Sequence, residues 1–299
     1  MKRKFEGIFP ALVTPMTSDG EVDHNALAGL IEYLITEGDV HGIIPLGSTG
    51  EFYALSDAER ETVAKTSIET AAGRVPVLVG TNDSSTERVV EHSKQAESLG
   101  ADGLLLAAPY YALPTHDELF SHFSAVNDAV RIPIMLYNYP GRTGVDMTPD
   151  LIVRLAELEN VLYVKESSGD VTRVSEIIRR SGDRINVFCG CDCLAMESFV
   201  LGAVGWVGGI VNFLPQEHVR LFELAVQEGD LLAARDLYYR MLPALSHIEN
   251  SGKYTQLVKA GCGLIGRPVG PPRGPLESAS QEDVAQLKAI IETLKGSAL

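Results

Sequence analysis

Short apolar runs alternate along this chain with longer stretches in which hydrophobic residues recur every three or four positions. The runs are 7–13, 42–46, 75–79, 103–107, 133–137, 161–164, 186–188 and 204–207. They lack the in–out alternation of a half-exposed sheet, so they read as strands buried on both faces, as in parallel sheets. Between them the period lengthens to that of helices. One pattern covers 25–37, and Ser56-Asp-Ala-Glu59 opens a second that runs to 72. Ser84-Ser-Thr-Glu87 and Thr115-His-Asp-Glu118 have the same spacing of hydroxyl and glutamate. That spacing lets each side chain satisfy a free N–H of the first turn. Thr148-Pro149 is a cap with proline at the first helical position. Further helices are predicted over 171–180, up to 201, and from Pro215 to 228.

Eight strand–helix repeats of this length predict a closed (β/α)₈ TIM barrel over residues 1–229. An open doubly wound sheet is the competing α/β architecture. It calls for a glycine-rich dinucleotide turn after the first strand, where this chain has Val-Thr-Pro-Met-Thr. Residues 230–299 are helical with a break at Arg267-Pro-Val-Gly-Pro-Pro-Arg-Gly-Pro. They are expected to form a helical appendage packed on the barrel, and the break to be a rigid turn without chemistry.

Composition narrows the function. A net charge of −15 repels phosphate backbones and anionic bilayers, so neither nucleic acid nor membrane is the expected partner. No apolar run is long enough to span a bilayer, and a cytoplasmic location is expected. Cys189, Cys191 and Cys193 alternate, with Cys262 remote from them. That is not a zinc spacing, and the histidines form no ligand pattern, so no metal is expected.

One strand end changes the picture. Val161-Leu-Tyr-Val164 runs into Lys165, then Glu-Ser-Ser-Gly-Asp. Among nine lysines, only this one closes a hydrophobic strand. Desolvation lowers the pKa of an amine and makes a neutral nucleophile available near pH 7. The alternative is a structural lysine paired with a carboxylate such as Glu166.

In a barrel, catalytic groups sit where strands end. Those positions hold Gly47-Ser48-Thr49-Gly50-Glu51, Asn82, Tyr110 and Tyr111, Tyr137 and Asn138, Lys165 and Gly190. An amine with several hydroxyls, without an imidazole or a carboxylate pair, suits imine chemistry on a carbonyl better than hydrolysis or hydride transfer. Ser48 and Thr49 can hold a small carboxylate through hydroxyls and backbone N–H groups, or the turn can be a plain strand-to-helix connection. The Tyr137 phenol can move a proton or be a core ring, and Arg142 can fork a second carboxylate. Gly190 and Val207, near the ends of the seventh and eighth runs, join Ser48, Thr49 and Arg142 as substrate-binding candidates. Gly208-Gly209 has no basic neighbour and reads as close backbone packing rather than a phosphate site.

Four separated motifs then carry a family resemblance over nearly the whole chain. They are Gly-Ser-Thr-Gly-Glu at 47–51, Pro-Tyr-Tyr at 109–111, Tyr-Asn-Tyr-Pro-Gly-Arg-Thr-Gly at 137–144 and Val-Lys-Glu-Ser-Ser-Gly-Asp at 164–170. The chain resembles the dihydrodipicolinate synthase/N-acetylneuraminate lyase family of class I, Schiff-base aldolases. The resemblance implies that Lys165 forms an imine with pyruvate or a longer 2-oxo acid. It implies that Thr49 and Tyr137 relay protons with Tyr111 lent by a neighbouring subunit, and that Ser48 and Thr49 hold the 2-oxo acid carboxylate. It also implies a homotetramer that needs no metal or organic cofactor beyond the covalent imine. Two departures, Ser48 in place of a second threonine and Ala112 in place of asparagine, direct the expectation to a catabolic enzyme. That would be a 2-oxo-3-deoxy sugar acid dehydratase or aldolase, or a hydroxyproline-pathway deaminase. A 4-hydroxy-tetrahydrodipicolinate synthase of lysine biosynthesis is the alternative. A non-catalytic 2-oxo acid sensor is the alternative of another class, with a sugar-phosphate isomerase as a third.

Overall fold

The structure, a computed structural model, describes residues 5–296. Seven strands form one sheet, all parallel: β1 Gly7–Pro10, β2 Leu78–Gly80, β3 Gly103–Ala107, β4 Ile134–Asn138, β5 Val161–Glu166, β6 Asn186–Cys189 and β7 Gly205–Gly208. Their order is β1-β7-β6-β5-β4-β3-β2. The gap between β1 and β2 is filled by residues 42–46, the run expected as a regular second strand. It pairs only through single bridges, Ala11 to Ile44 and Ile43 to Val77. The reason lies in the sequence, because Pro10, Pro45 and Pro76 remove ladder donors on and beside this stave. The remaining groups still bond on both sides: Ile44 N–H to the Pro10 carbonyl at 3.0 Å, and Leu78 N–H to the Ile43 carbonyl at 3.0 Å. The cylinder closes as a (β/α)₈ barrel.

Two apolar layers hold it. The inner one comprises Phe5, Phe9, Ala11, Ile44, Leu78, Leu105, Met135, Tyr137, Tyr163, Phe188 and Val207, all buried, and fills the barrel. The outer one lies between strands and helices and extends into the C-terminal helices through Leu257, Val258 and Leu287. Successive strand residues face opposite layers, so Tyr163 and Lys165 point inward while Val164 and Glu166 point toward the helices. Strand β5 runs two residues past its predicted end. Lys165 is therefore inside the ladder, opposite Tyr137 on one side and Phe188 on the other.

Ser56 and Thr115 both make complete capping boxes, for helices Asp57–Ala71 and His116–Ala129. Helix Thr86–Ser98 departs from expectation, starting at Ser85 without a side-chain cap. Asp83 takes over there and accepts the Ser85 N–H at 3.2 Å. Three helices follow residue 230: Leu231–Asn250, Tyr254–Leu264 and Gln281–Gly296. No helix among the described residues is long and apolar enough to cross a membrane.

Candidate active site

At the carboxyl ends of the strands, Lys165, Tyr137, Ser48, Thr49 and Gly190 line one pocket, with Arg142 at its mouth. Lys165 is only 6% exposed, and its Nζ stands 4.1 Å from the centroid of the Tyr137 ring. Burial lowers its pKa to about 8, against a weaker upward pull from the Asp192 carboxylate. No carboxylate among the described residues lies within ion-pair distance of Nζ, so the pairing that the structural alternative calls for is not made. Glu166 faces the other side of the strand, where it accepts from Asn138 Nδ2 at 3.1 Å and from the Ser168 N–H at 2.7 Å.

The Tyr137 phenol is buried, which raises its pKa, while a hydrogen bond with the Ser48 side chain pulls it back. Thr49 is buried in the same wall. Gly190 has a steric reason to be glycine. A Cβ there would stand 1.9 Å from Ser167 Oγ and 2.7 Å from Lys165 Cγ, closing the channel through which the lysine stem passes. Arg142 sits on the helical turn Pro140–Thr143, its guanidinium 5.7 Å from the Tyr139 ring centroid.

Other candidates fall elsewhere. Val207 is fully buried in the barrel interior and is not part of the pocket wall. Asn82 and Asn138 are structural: Asn82 Oδ1 accepts the Ala107 N–H at 2.6 Å, and Asn138 Oδ1 the Met147 N–H at 3.0 Å. Tyr110 belongs to an aromatic vestibule beside the pocket, with Phe52, Tyr53 and Tyr139. Tyr111 is 96% exposed with φ +75°, outside both the pocket and the vestibule of its own chain.

The far wall was not foreseen. It includes Cys191, Gly209, Glu249, Tyr254 and Thr255, with Asp192 buried behind. Asp192 Oδ1 accepts from Trp206 Nε1 at 2.9 Å, and Oδ2 accepts from the Tyr254 hydroxyl. That hydroxyl in turn accepts the Gly209 N–H at 2.8 Å. Burial and the neighbouring Glu249 charge push Asp192 up to about 7, with Tyr254 and Trp206 holding it down. Glu249 is anchored through Oε2, which accepts the Cys193 N–H at 2.8 Å. Two carboxylates thus stand at a site whose strand ends showed no such pair. The Gly-Cys-Asp sequence after β6 was a usable signal for Asp192, overshadowed by its cysteines. Glu249 and Tyr254 come from the C-terminal helices, which the rule about strand ends does not reach. Gly208 and Gly209 are close-packing glycines, since a Cβ at 209 would lie 2.6 Å from the Tyr254 ring. All four cysteines are free thiols, and no cluster among the described residues could hold a metal ion.

Known proteins supply the comparison. The Dihydrodipicolinate synthetase family model matches residues 4–294. A curated 4-hydroxy-tetrahydrodipicolinate synthase of Methanospirillum hungatei is 37% identical over 290 residues, covering 96% of this chain and 98% of its own. The enzyme of the same name from Pelobacter propionicus is 39% identical over 291 residues, covering 97% and 98%. The crystal structure of dihydrodipicolinate synthase from Aquifex aeolicus is 35% identical with a TM-score of 0.93, and the match covers 97% of this chain and 98% of that one.

Proposed function

Since the chain belongs to the dihydrodipicolinate synthetase family of class I lyases, we propose that it condenses pyruvate with aspartate semialdehyde, as a 4-hydroxy-tetrahydrodipicolinate synthase. The observation that carries the imine step is the buried, unpaired Lys165 amine lying over Tyr137 in a pocket lined with hydroxyls. Its nitrogen attacks the keto carbon of pyruvate, and the carbinolamine loses water to give the imine. The imine is an electron sink, so the methyl carbon gives up a proton and becomes an enamine. The enamine carbon then bonds to the aldehyde carbon, whose oxygen takes a proton, and the imine to Lys165 re-forms. The amino group of the second substrate adds to that imine carbon, closes the ring and expels the Lys165 amine, which takes back a proton. Ser48 and Thr49 hold the pyruvate carboxylate, Tyr137 and Thr49 move protons, and Arg142 takes the carboxylate of the second substrate at the mouth. The barrel carries the reacting groups, and Glu249, Tyr254 and Thr255 of the C-terminal helices complete the wall.

This reading replaces the expected catabolic dehydratase or deaminase, because the full-length curated relatives carry the synthase name. One observation keeps a polyhydroxy 2-oxo acid as the second reading. Glu249 lines the far wall, where its carboxylate can accept from substrate hydroxyls. The sensor alternative does not fit a family of lyases. The enzyme acts in the cytoplasm as a homotetramer, in which Tyr111 of each subunit enters the neighbour's vestibule.

The test is to incubate the protein with pyruvate and borohydride, then locate the mass increase by peptide mapping. A reduced adduct on Lys165 is expected, and an unmodified Lys165 would refute the imine. With the adduct in hand, turnover of pyruvate with aspartate semialdehyde but not of 2-oxo-3-deoxy sugar acids supports the synthase. The opposite pattern supports the second reading.

A further inference from the structure

Glu51 ends the Gly-Ser-Thr-Gly-Glu turn that also carries Ser48 and Thr49, yet its side chain points away from the pocket wall. Its backbone is left-handed, with φ +57° and ψ +34°, a conformation that non-glycine residues adopt only when their surroundings enforce it. Three contacts enforce it. Glu51 Oε1 lies 2.6 Å from Lys259 Nζ, with the two side chains 0% and 2% exposed. Glu51 Oε2 accepts the Arg273 N–H at 2.7 Å. Lys259 Nζ also donates to the Pro271 carbonyl at 2.8 Å. Lys259 stands on helix Tyr254–Leu264, and Arg273 in the segment after it, so both come from the C-terminal part of the chain.

The same turn is tied internally. The Glu51 N–H bonds back to the Ser48 carbonyl at 3.2 Å, the Gly50 N–H to the Gly47 carbonyl at 3.0 Å, and Thr14 Oγ1 donates to the Gly50 carbonyl at 2.7 Å. Rotating Glu51 out of its left-handed state therefore moves Ser48 and Thr49. The preceding stave, 42–46, is tied to its neighbours up to the Pro45 carbonyl, which accepts the Gly80 N–H at 3.0 Å, so the turn beyond it depends on its own contacts. A fully buried ion pair adds little net stability, because desolvation of both ions offsets most of their attraction. Its use here is geometric.

We propose that Glu51 and Lys259 are positioning residues for substrate carboxylate binding: their buried ion pair, reaching from the C-terminal helices, fixes the Ser48–Thr49 turn in the form that receives the 2-oxo acid. The inference rests on the proposed imine reaction but not on the identity of the second substrate.

The experiment measures the pyruvate dependence of borohydride trapping in the full-length protein, its Lys259→Met, Glu51→Gln and doubly substituted forms. In Lys259→Met and Glu51→Gln, half-saturation should move to pyruvate concentrations about 10–100-fold higher, with the trapping rate at saturation changed by less than about threefold. The double variant, which leaves no buried charge unpaired, should recover at least part of the loss seen in Lys259→Met. Should Lys259→Met fail to fold, Glu51→Gln alone decides between the outcomes, since a glutamine keeps the shape and can still accept from Arg273. A lowered melting temperature with unchanged half-saturation would overturn the proposal and leave the pair as scaffolding. Equal loss at saturation and half-saturation would also overturn it. If the unsubstituted protein traps no pyruvate, the imine itself fails and this inference falls with it.

Discussion

The proposed reaction turns on one nitrogen, that of Lys165, whose protonation follows from where the backbone puts it. Burial holds Lys165 near a pKa of about 8, and Asp192 opposes that depression. Below this pKa the group is an ammonium with no lone pair, and above it a nucleophile. Imine formation at low pyruvate should therefore fall about tenfold for each pH unit below 8 and level off above it. Asp192→Asn removes the opposing charge, so its profile should shift to lower pH. Stopped-flow trapping between about pH 6 and 9 reads both, and a rate that still climbs tenfold per unit through pH 9 without levelling would show that the amine is not desolvated. Lys165 could be found from sequence because a lone cation ending an apolar strand breaks the hydrophobic pattern. Tyr137 was legible through its strand end, and Gly190 too, although its steric role arises only where Ser167 and Lys165 fold against it. Val207 shows how the same rule misplaces a residue, since a strand end can point into the barrel rather than the pocket. Asp192 went unrecognised because its partners, Trp206 and Tyr254, are remote in sequence.

At the scale of elements, the segment expected to be a plain rigid turn binds the barrel. Arg273 forks Glu59, at 2.7 Å to Oε1 and 3.0 Å to Oε2, and its guanidinium also reaches the carbonyls of Ala54 and Gly20. Glu59 is the reciprocal partner in the Ser56 capping box. Together these push its pKa from 4.5 to about 2, with Arg273 as the largest cause. A depressed carboxylate contributes stability that is fully present above pH 4.5 and is lost as pH falls through about 2. Allowing for partial exposure, that contribution is on the order of 2 kcal/mol. Urea unfolding at stepwise lower pH should show a steeper loss in the unsubstituted protein than in Glu59→Gln, and parallel curves would rule out the clasp as a source of stability. The helices and strands themselves were largely legible, because capping boxes and apolar runs are local signals. The second stave was not, since its regular pairing is defeated by prolines on neighbouring segments as well as its own.

The whole molecule presents a mismatch between a nearly complete pocket and one displaced tyrosine. Tyr111 stands 96% exposed on a loop where it and Leu113 both have positive φ, and Leu113 is itself 60% exposed. An exposed aromatic held on strained backbone is poorly suited to a solvated surface and well suited to insertion into another protomer. On the proposed assembly, Tyr111→Phe should lower kcat on the order of 10–100-fold without dissociating the oligomer. Dilution to separate subunits should abolish turnover in the unsubstituted protein. Sedimentation velocity run beside the assay checks both, and full activity in separated subunits would show that each pocket is self-sufficient. The barrel architecture was legible because eight repeats of fixed length leave few other solutions. The closing of the far wall was not, since it is built between segments that meet only once the entire chain has folded. Glu51 waits for Lys259, and Asp192 for Tyr254. During synthesis on the ribosome, Lys165 thus emerges well before Glu249, Tyr254 and Lys259. On the proposed reaction, competence to bind substrate would arrive only once helices Leu231–Asn250 and Tyr254–Leu264 have left the exit tunnel, so a nascent polypeptide ending before them would carry the nucleophile in an open pocket.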